Sequence, residues 1–344
     1  MTQHINKQGR LQWVDYARGL AIMLVVYRHV VIGVTRTGLD ITPAMFNIQE
    51  VFFNFRMPVF FVLSGIFLAG SLARKSIGTV LKDRTTTLLY TYLLWGGITI
   101  ILFIYFSRYT NTVRHWSDLT DLVVKPREVG HLWYLLALFN TSALYLLMKK
   151  LKLPHLAHII LAALMYWFAR VPFVEQVSAI SDLCYYYLYF LTGTYVSSVI
   201  LDAEKGPAVL SSKKLLWLVP LFIAGQTFWY LNREERGDLF SVSFLIINMV
   251  ACYFMYVISN LLSGYKSNYW IAYLGKYSLY IYILHVYVAS VTRSLMLHFA
   301  PGINIWVLVI TCWVAGMIVP VFLYNLLKGV GVEKLFSLKT KSVA

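Results

Sequence analysis

The chain has 344 residues, of which 59% are hydrophobic and 13% charged, and its formal net charge is +15. A soluble domain carries about 25% charged residues, so a water-borne globular fold is excluded. The basic residues lie in the connections between long apolar runs rather than in one patch, which excludes a nucleic-acid partner and leaves a lipid bilayer as the solvent.

The apolar runs fall at 17–35, 51–72, 86–106, 132–148, 156–169, 183–201, 215–231, 240–262, 277–292 and 303–326. At about 1.5 Å rise per residue each crosses or nearly crosses a hydrocarbon core of about 30 Å. The expected fold is all-α: a polytopic membrane protein with about ten transmembrane helices, one transmembrane domain over 1–344 and no soluble domain. Lys7, Arg10, Arg18, Arg74, Lys75, Lys82, Arg84, Lys149, Lys150, Lys152, Lys205, Lys213, Lys214, Lys266, Lys276, Lys328, Lys334, Lys339 and Lys341 fall on one side of alternate connections. Fewer fall on the other: Arg36, Arg108, Arg114, Lys125, Arg127, Arg170, Arg233, Arg236 and Arg293. The positive-inside rule then puts both termini in the cytoplasm. The first run is too long for a signal-peptide core and no small-residue cleavage site follows it, so it reads as a retained anchor.

The first span opens Asp15-Tyr16-Ala17-Arg18 and contains Arg28-His29. Arg18 and His29 are eleven residues apart, which returns to within about 20° of the same face after a rise of roughly 16 Å. One stripe thus carries a cation at the inner edge and an imidazole near mid-membrane, and Asp15 can pair with Arg18 at i,i+3. Ionisable groups at this depth are costly and mark function by default. The bland alternatives are a snorkelling anchor for Arg18 and an interhelical hydrogen bond for His29. Arg28 can pair with an acid, line a polar cavity or reach to the outer interface.

The second span enters from outside as Phe55-Arg56-Met57-Pro58, with Ser64-Gly65 further in. Pro58 is expected to kink it. Arg56 shares the depth of His29, and a guanidinium beside an imidazole keeps the imidazole neutral, as a general base requires. Before the third span Arg74, Lys75, Lys82 and Arg84 crowd one short connection. That crowding reads as positive-inside bias or as a phosphate-binding rim. The connection 107–131 is long enough for a lid or interfacial helix. The fourth span opens His131-Leu132-Trp133-Tyr134, an interfacial aromatic belt that could also stack on sugars. The ninth carries Ser278, Tyr282 and His285, with Ser278 and His285 on one face. Cys184, Cys252 and Cys312 lie within spans, show no metal-ligand spacing and read as small packing residues. No metal site and no bound cofactor are expected.

These residues resemble the acyltransferase 3 family of bacterial membrane O-acyltransferases. The resemblance is carried by Trp13-x-Asp15-Tyr16-x-Arg18-Gly19 with His29; by Met57-Pro58-x-Phe60-Phe61-x-x-Ser64-Gly65; by His131-Leu132-Trp133-Tyr134; and by Leu274-Gly275-x-x-Ser278-Leu279-x-Ile281-Tyr282-x-Leu284-His285. It implies a multi-pass protein of the cytoplasmic (inner) membrane. Such a protein takes an acyl group, usually acetyl, from cytoplasmic acyl-CoA as co-substrate and passes it to a hydroxyl of a glycan or glycolipid. It also implies that His29 is catalytic with Arg18 as its essential partner, and that Arg84 is the basic residue usual before the third span. Two departures stand out: the proline common early in the third span is missing from Thr87 to Tyr92, and no hydrolase-like domain follows the last span. The expected mechanism docks CoA phosphates on Arg18, Lys82 and Arg84, and runs the pantetheine arm along the Arg18–His29 stripe. Arg56, with Tyr282 or His285, then steadies the oxyanion. The competing readings are a proton-coupled transporter, against which no repeat and no acid deep in a span is seen, and a polysaccharide-export subunit.

Overall fold

A computed structural model describes residues 11–105, 115–235 and 238–338. In chain order its helices are α1 (Gln12–Thr35), α2 (Pro43–Val51), α3 (Arg56–Leu72), α4 (Ile77–Arg84), α5 (Tyr90–Tyr105), α6 (Pro126–Val129), α7 (Trp133–Lys150) and α8 (His155–Phe168). They continue with α9 (Pro172–Glu175), α10 (Ser178–Ile200), α11 (Lys205–Val209), α12 (Leu215–Asn232), α13 (Asp238–Leu262), α14 (Tyr269–Lys276), α15 (Ser278–Phe299) and α16 (Ile305–Leu327). No strand occurs among the described residues.

The apolar runs are largely helical, though 51–72 is broken by a turn at 52–55 between α2 and α3. Seven stretches are long and apolar enough to cross a membrane by length and composition: Gln12–Thr35, Pro43–Leu72, Ile77–Tyr105, Lys205–Asn232, Ser241–Leu262, Ser278–Phe299 and Ile305–Leu327. Helix α8, with 14 residues, is too short to join them. Of the charges used for the alternation, Lys7, Arg10, Arg108, Arg114, Arg236, Lys339 and Lys341 lie outside the described residues, as does 106–114 of the connection read as a lid. The rest of that connection holds a 3-10 helix, Trp116–Leu122, and the single turn α6.

Four details differ from the sequence reading. Residues 43–50, read as a connection, form most of α2; Thr42 caps it by accepting from the Met45 N–H, and Pro43 sits at its first turn. Pro58 does not kink a long helix. Helix α3 starts at Arg56, so Pro58 lies in its first turn, where a missing N–H costs nothing, and Val59 makes the bond to the Phe55 carbonyl. The ninth run, 277–292, lies in α15 and is preceded by a separate short helix, α14, which meets it at Tyr277. Helix α15 continues to Phe299, so Arg293 lies inside a helix rather than in a connection, and its guanidinium packs on Gly33 of α1.

The chain folds as two units, Met1–Phe60 with Val199–Leu326, and Phe61–Ser198 with Leu327–Ala344. In the first, α1 packs on α13, α14 and α15. Its tightest crossing is made by two glycines: a Cβ on Gly19 would overlap the Ile271 carbonyl, and one on Gly275 would overlap the Asp15 carbonyl. Small residues let helix backbones approach this closely in lipid, where van der Waals packing replaces the hydrophobic drive. Trp13 is buried beside Tyr256, whose hydroxyl donates to the Val59 carbonyl, tying α13 to α3.

The second unit uses the same device, because Cβ atoms on Gly65 and Gly193 would overlap the Phe190 and Val62 carbonyls. Where the expected proline is missing, the helix entering α5 widens into a π-turn at Thr85–Leu89. The chain's 335–338 segment docks there. Thr91 Oγ1 donates to the Phe336 carbonyl at 2.8 Å, Trp95 Nε1 to Leu335 at 2.8 Å, and Leu338 N–H to Thr86 at 3.1 Å. Bulges of this kind bend helices as proline does.

Candidate active site

In the first unit α1 and α15 bring two imidazoles together. The rings of His29 and His285 lie 5.1 Å apart, tilted by 60°. His285 is fully buried, and its Nδ1 meets two backbone carbonyls of its own helix, Ile281 at 2.9 Å and Tyr282 at 2.8 Å. Carbonyls only accept, so Nδ1 carries the proton and the neutral ring presents Nε2 as its basic nitrogen. His29 is half-buried. Behind the pair, Gly316 of α16 faces both α1 and α15, its Cβ position 3.0 Å from Val26 and 3.8 Å from the His285 Cβ. Tyr282 is buried with its ring 6.1 Å from that of His285, and its carbonyl holds the His285 proton. Ser278 is the first residue of α15, two turns earlier.

Arg28, the neighbour of His29, turns to α2. It donates to Gln49, pairs with Glu50 at 3.4 Å and lies over the Phe53 ring at 4.4 Å. The buried Arg56 occupies the same ring at 4.7 Å. Arg28 and Arg56 thus share one aromatic side chain, each contact worth about 0.5–1 kcal/mol or more where desolvated. Gln49, Glu50 and Phe53 were missed from sequence; the Thr42-Pro43 helix start was the legible signal. Arg18 is half-buried in the N-terminal half of α1, and Asp15 is buried there against Gly275.

In the second unit Arg84 donates to Ser64 Oγ at 3.1 Å and to the Ser64 carbonyl at 3.4 Å, which joins two residues singled out separately. Lys82 is exposed on α4. His131 is buried in the turn before α7. Tyr134 packs edge-on to Phe61, which stacks on Tyr186 at 4.3 Å, and Trp133 lies 5.5 Å from Tyr186. Arg127 caps this cluster: its guanidinium lies 4.3 Å over Trp133 and makes two-pronged bonds to Asp182 at 2.5–3.1 Å.

Asp182 is the fifth residue of α10, which begins at Ser178 and buries this carboxylate at 2% exposure. The sequence reading began the span one residue after it. Asp182→Ala is expected to lower stability by about 2 kcal/mol, since it strands a half-exposed guanidinium. A melting curve of the purified protein checks this, and an unchanged midpoint would count against it.

The model of the acyltransferase 3 family, an acyltransferase domain, matches residues 11–325. The chain is also similar to nodulation protein NolL of Sinorhizobium fredii, with 29% identity over 209 residues, which are 59% of this chain and 52% of that protein. The chain therefore spans about half the length of that curated relative. No solved structure matches.

Proposed function

From the premise that this chain belongs to the acyltransferase 3 family of membrane acyltransferases, we propose that it is an O-acyltransferase, with acetyl-CoA as donor and a glycan or glycolipid hydroxyl as acceptor. The observation that supports the reading best is the His29–His285 pair. His29 takes the acceptor's hydroxyl proton as the oxygen attacks the thioester carbonyl. The C–S bond then breaks, and the CoA thiolate leaves and receives that proton. The alternative order, acyl transfer first to the His29 nitrogen and then to the hydroxyl, uses the same groups. His285, its tautomer fixed by two carbonyls, steadies the charge that forms on His29. Arg18 takes a donor phosphate, as a guanidinium does well, and Lys82 and Arg84 are the donor-binding residues proposed for the second unit. Ten spans, cytoplasmic termini and an inner-membrane location belong to the same proposal, which puts the donor on the basic side.

The test is transfer of labelled acetyl from acetyl-CoA to glycan by the purified protein in detergent. Transport needs a sealed compartment and transfer does not, so label in the glycan supports an enzyme and none refutes it. Arg18→Ala is expected to raise the KM for acetyl-CoA about tenfold or more, the loss of one charge-assisted phosphate contact, with a smaller change for the acceptor. An unchanged donor KM removes the phosphate role.

A further inference from the structure

Two side-chain amides in the first unit are buried with nothing to bond. Asn54 is 7% exposed and Gln226 4%, and none of their four polar atoms has a hydrogen-bond partner among the described residues. Leaving such groups dry is unfavourable, and a leucine at either place would avoid that cost. The two belong to one junction. Asn54 lies in the turn between α2 and α3, flanked by Phe53, which stacks on Trp229 of α12, and by Phe55, which packs edge-on to Phe222 of the same helix. Gln226 stands one turn from both Phe222 and Trp229, on the face that carries them. Phe53 is also the ring that receives Arg28, the chain neighbour of His29. Through Phe53 the junction thus reaches Arg28 of α1, the residue before His29.

We propose that Asn54 and Gln226 bind the acceptor, taking the hydroxyls of a sugar ring and setting which glycan is used. This rests on the acyltransferase reading and names residues that it leaves unassigned. A carboxamide both donates and accepts, as a hydroxyl does, so two of them match a vicinal diol. They carry no charge themselves, and the cations at this junction, Arg28 and Arg56, meet on Phe53, with Arg28 also pairing with Glu50.

The test uses full-length Gln226→Leu and Asn54→Leu. Each removes an unsatisfied amide, so the melting midpoint is expected to hold or rise, while the acceptor KM rises about tenfold or more; the acetyl-CoA KM stays as it was. A lower midpoint with an unchanged acceptor KM overturns the proposal. A second measurement does not need catalysis. Methyl glycosides of glucose, galactose, mannose, rhamnose and N-acetylglucosamine are added at millimolar concentration to His29→Ala, and the ligand-induced rise in melting temperature is recorded. A rise that Gln226→Leu abolishes supports the site whatever becomes of the transferase reading. No rise with any glycoside, or one that survives in Gln226→Leu, overturns the site and leaves the transferase reading standing.

Discussion

His29→Ala is expected to lower acyl transfer about 10³-fold, with the protein still folded and still inserted. The expectation follows from placement. His29 is half-buried on α1, its ring 5.1 Å from a second imidazole whose proton position is fixed by carbonyls of its own helix. A histidine retained only for packing would behave otherwise on replacement: stability would fall and the rate per folded molecule would persist. Two readouts separate these cases. The melting midpoint of His29→Ala should change little, because the ring is only half-buried and α1 is held mainly at its other end, by the glycine crossing. Added imidazole should restore part of the lost rate, since alanine leaves a ring-sized space beside His285 and the missing element is a base. Full transfer by His29→Ala would remove the catalytic assignment outright.

The second large effect is on the fold. Gly275→Val is expected to destabilise the first unit by about 3 kcal/mol or more, and to lower the yield of folded protein. At this position the backbone of α14 rests on the Asp15 carbonyl of α1, leaving no room even for a methyl group. The obstacle is backbone, so no rotamer change relieves it and the helices must part. Tyr16, Ile271 and Ala272, which pack at the same crossing, would lose contact together. Gly97, by contrast, has nothing within 4 Å of its Cβ position, so Gly97→Ala should be neutral or slightly stabilising. Comparing the two variants by melting and by size-exclusion profile checks the argument. Equal behaviour would show that the crossing is not tight.

Much of this was legible in the sequence, because lipid makes a simple solvent. Long apolar runs found the helices, and the cost of ionisable groups within them singled out His29 and His285, which the fold brings side by side. What could not be read is what depends on partners in space. Arg56 and His29 share a depth by counting residues, yet counting could not show that Arg56 and Arg28 converge on Phe53. Arg127 and Asp182 looked like surface charges because apolar counting stops at the first acid, while the helix runs on and buries it. Pro58 read as a kink because an unbroken apolar run hides the turn at 52–55 that starts a new helix. Gly19 and Gly275 stood in the motifs by type; only the coordinates give the reason, a backbone contact.

Those glycines do more than pack. Gly19 lies ten residues before His29 in one helix, while the ten residues from Gly275 to His285 pass the joint at Tyr277 between α14 and α15. From Tyr277 to His285 the chain rises about 12 Å, so a 5° change of bend at the joint moves the His285 ring by about 1 Å. A change of bend at that joint therefore moves His285 relative to His29 while the glycine contact stays closed.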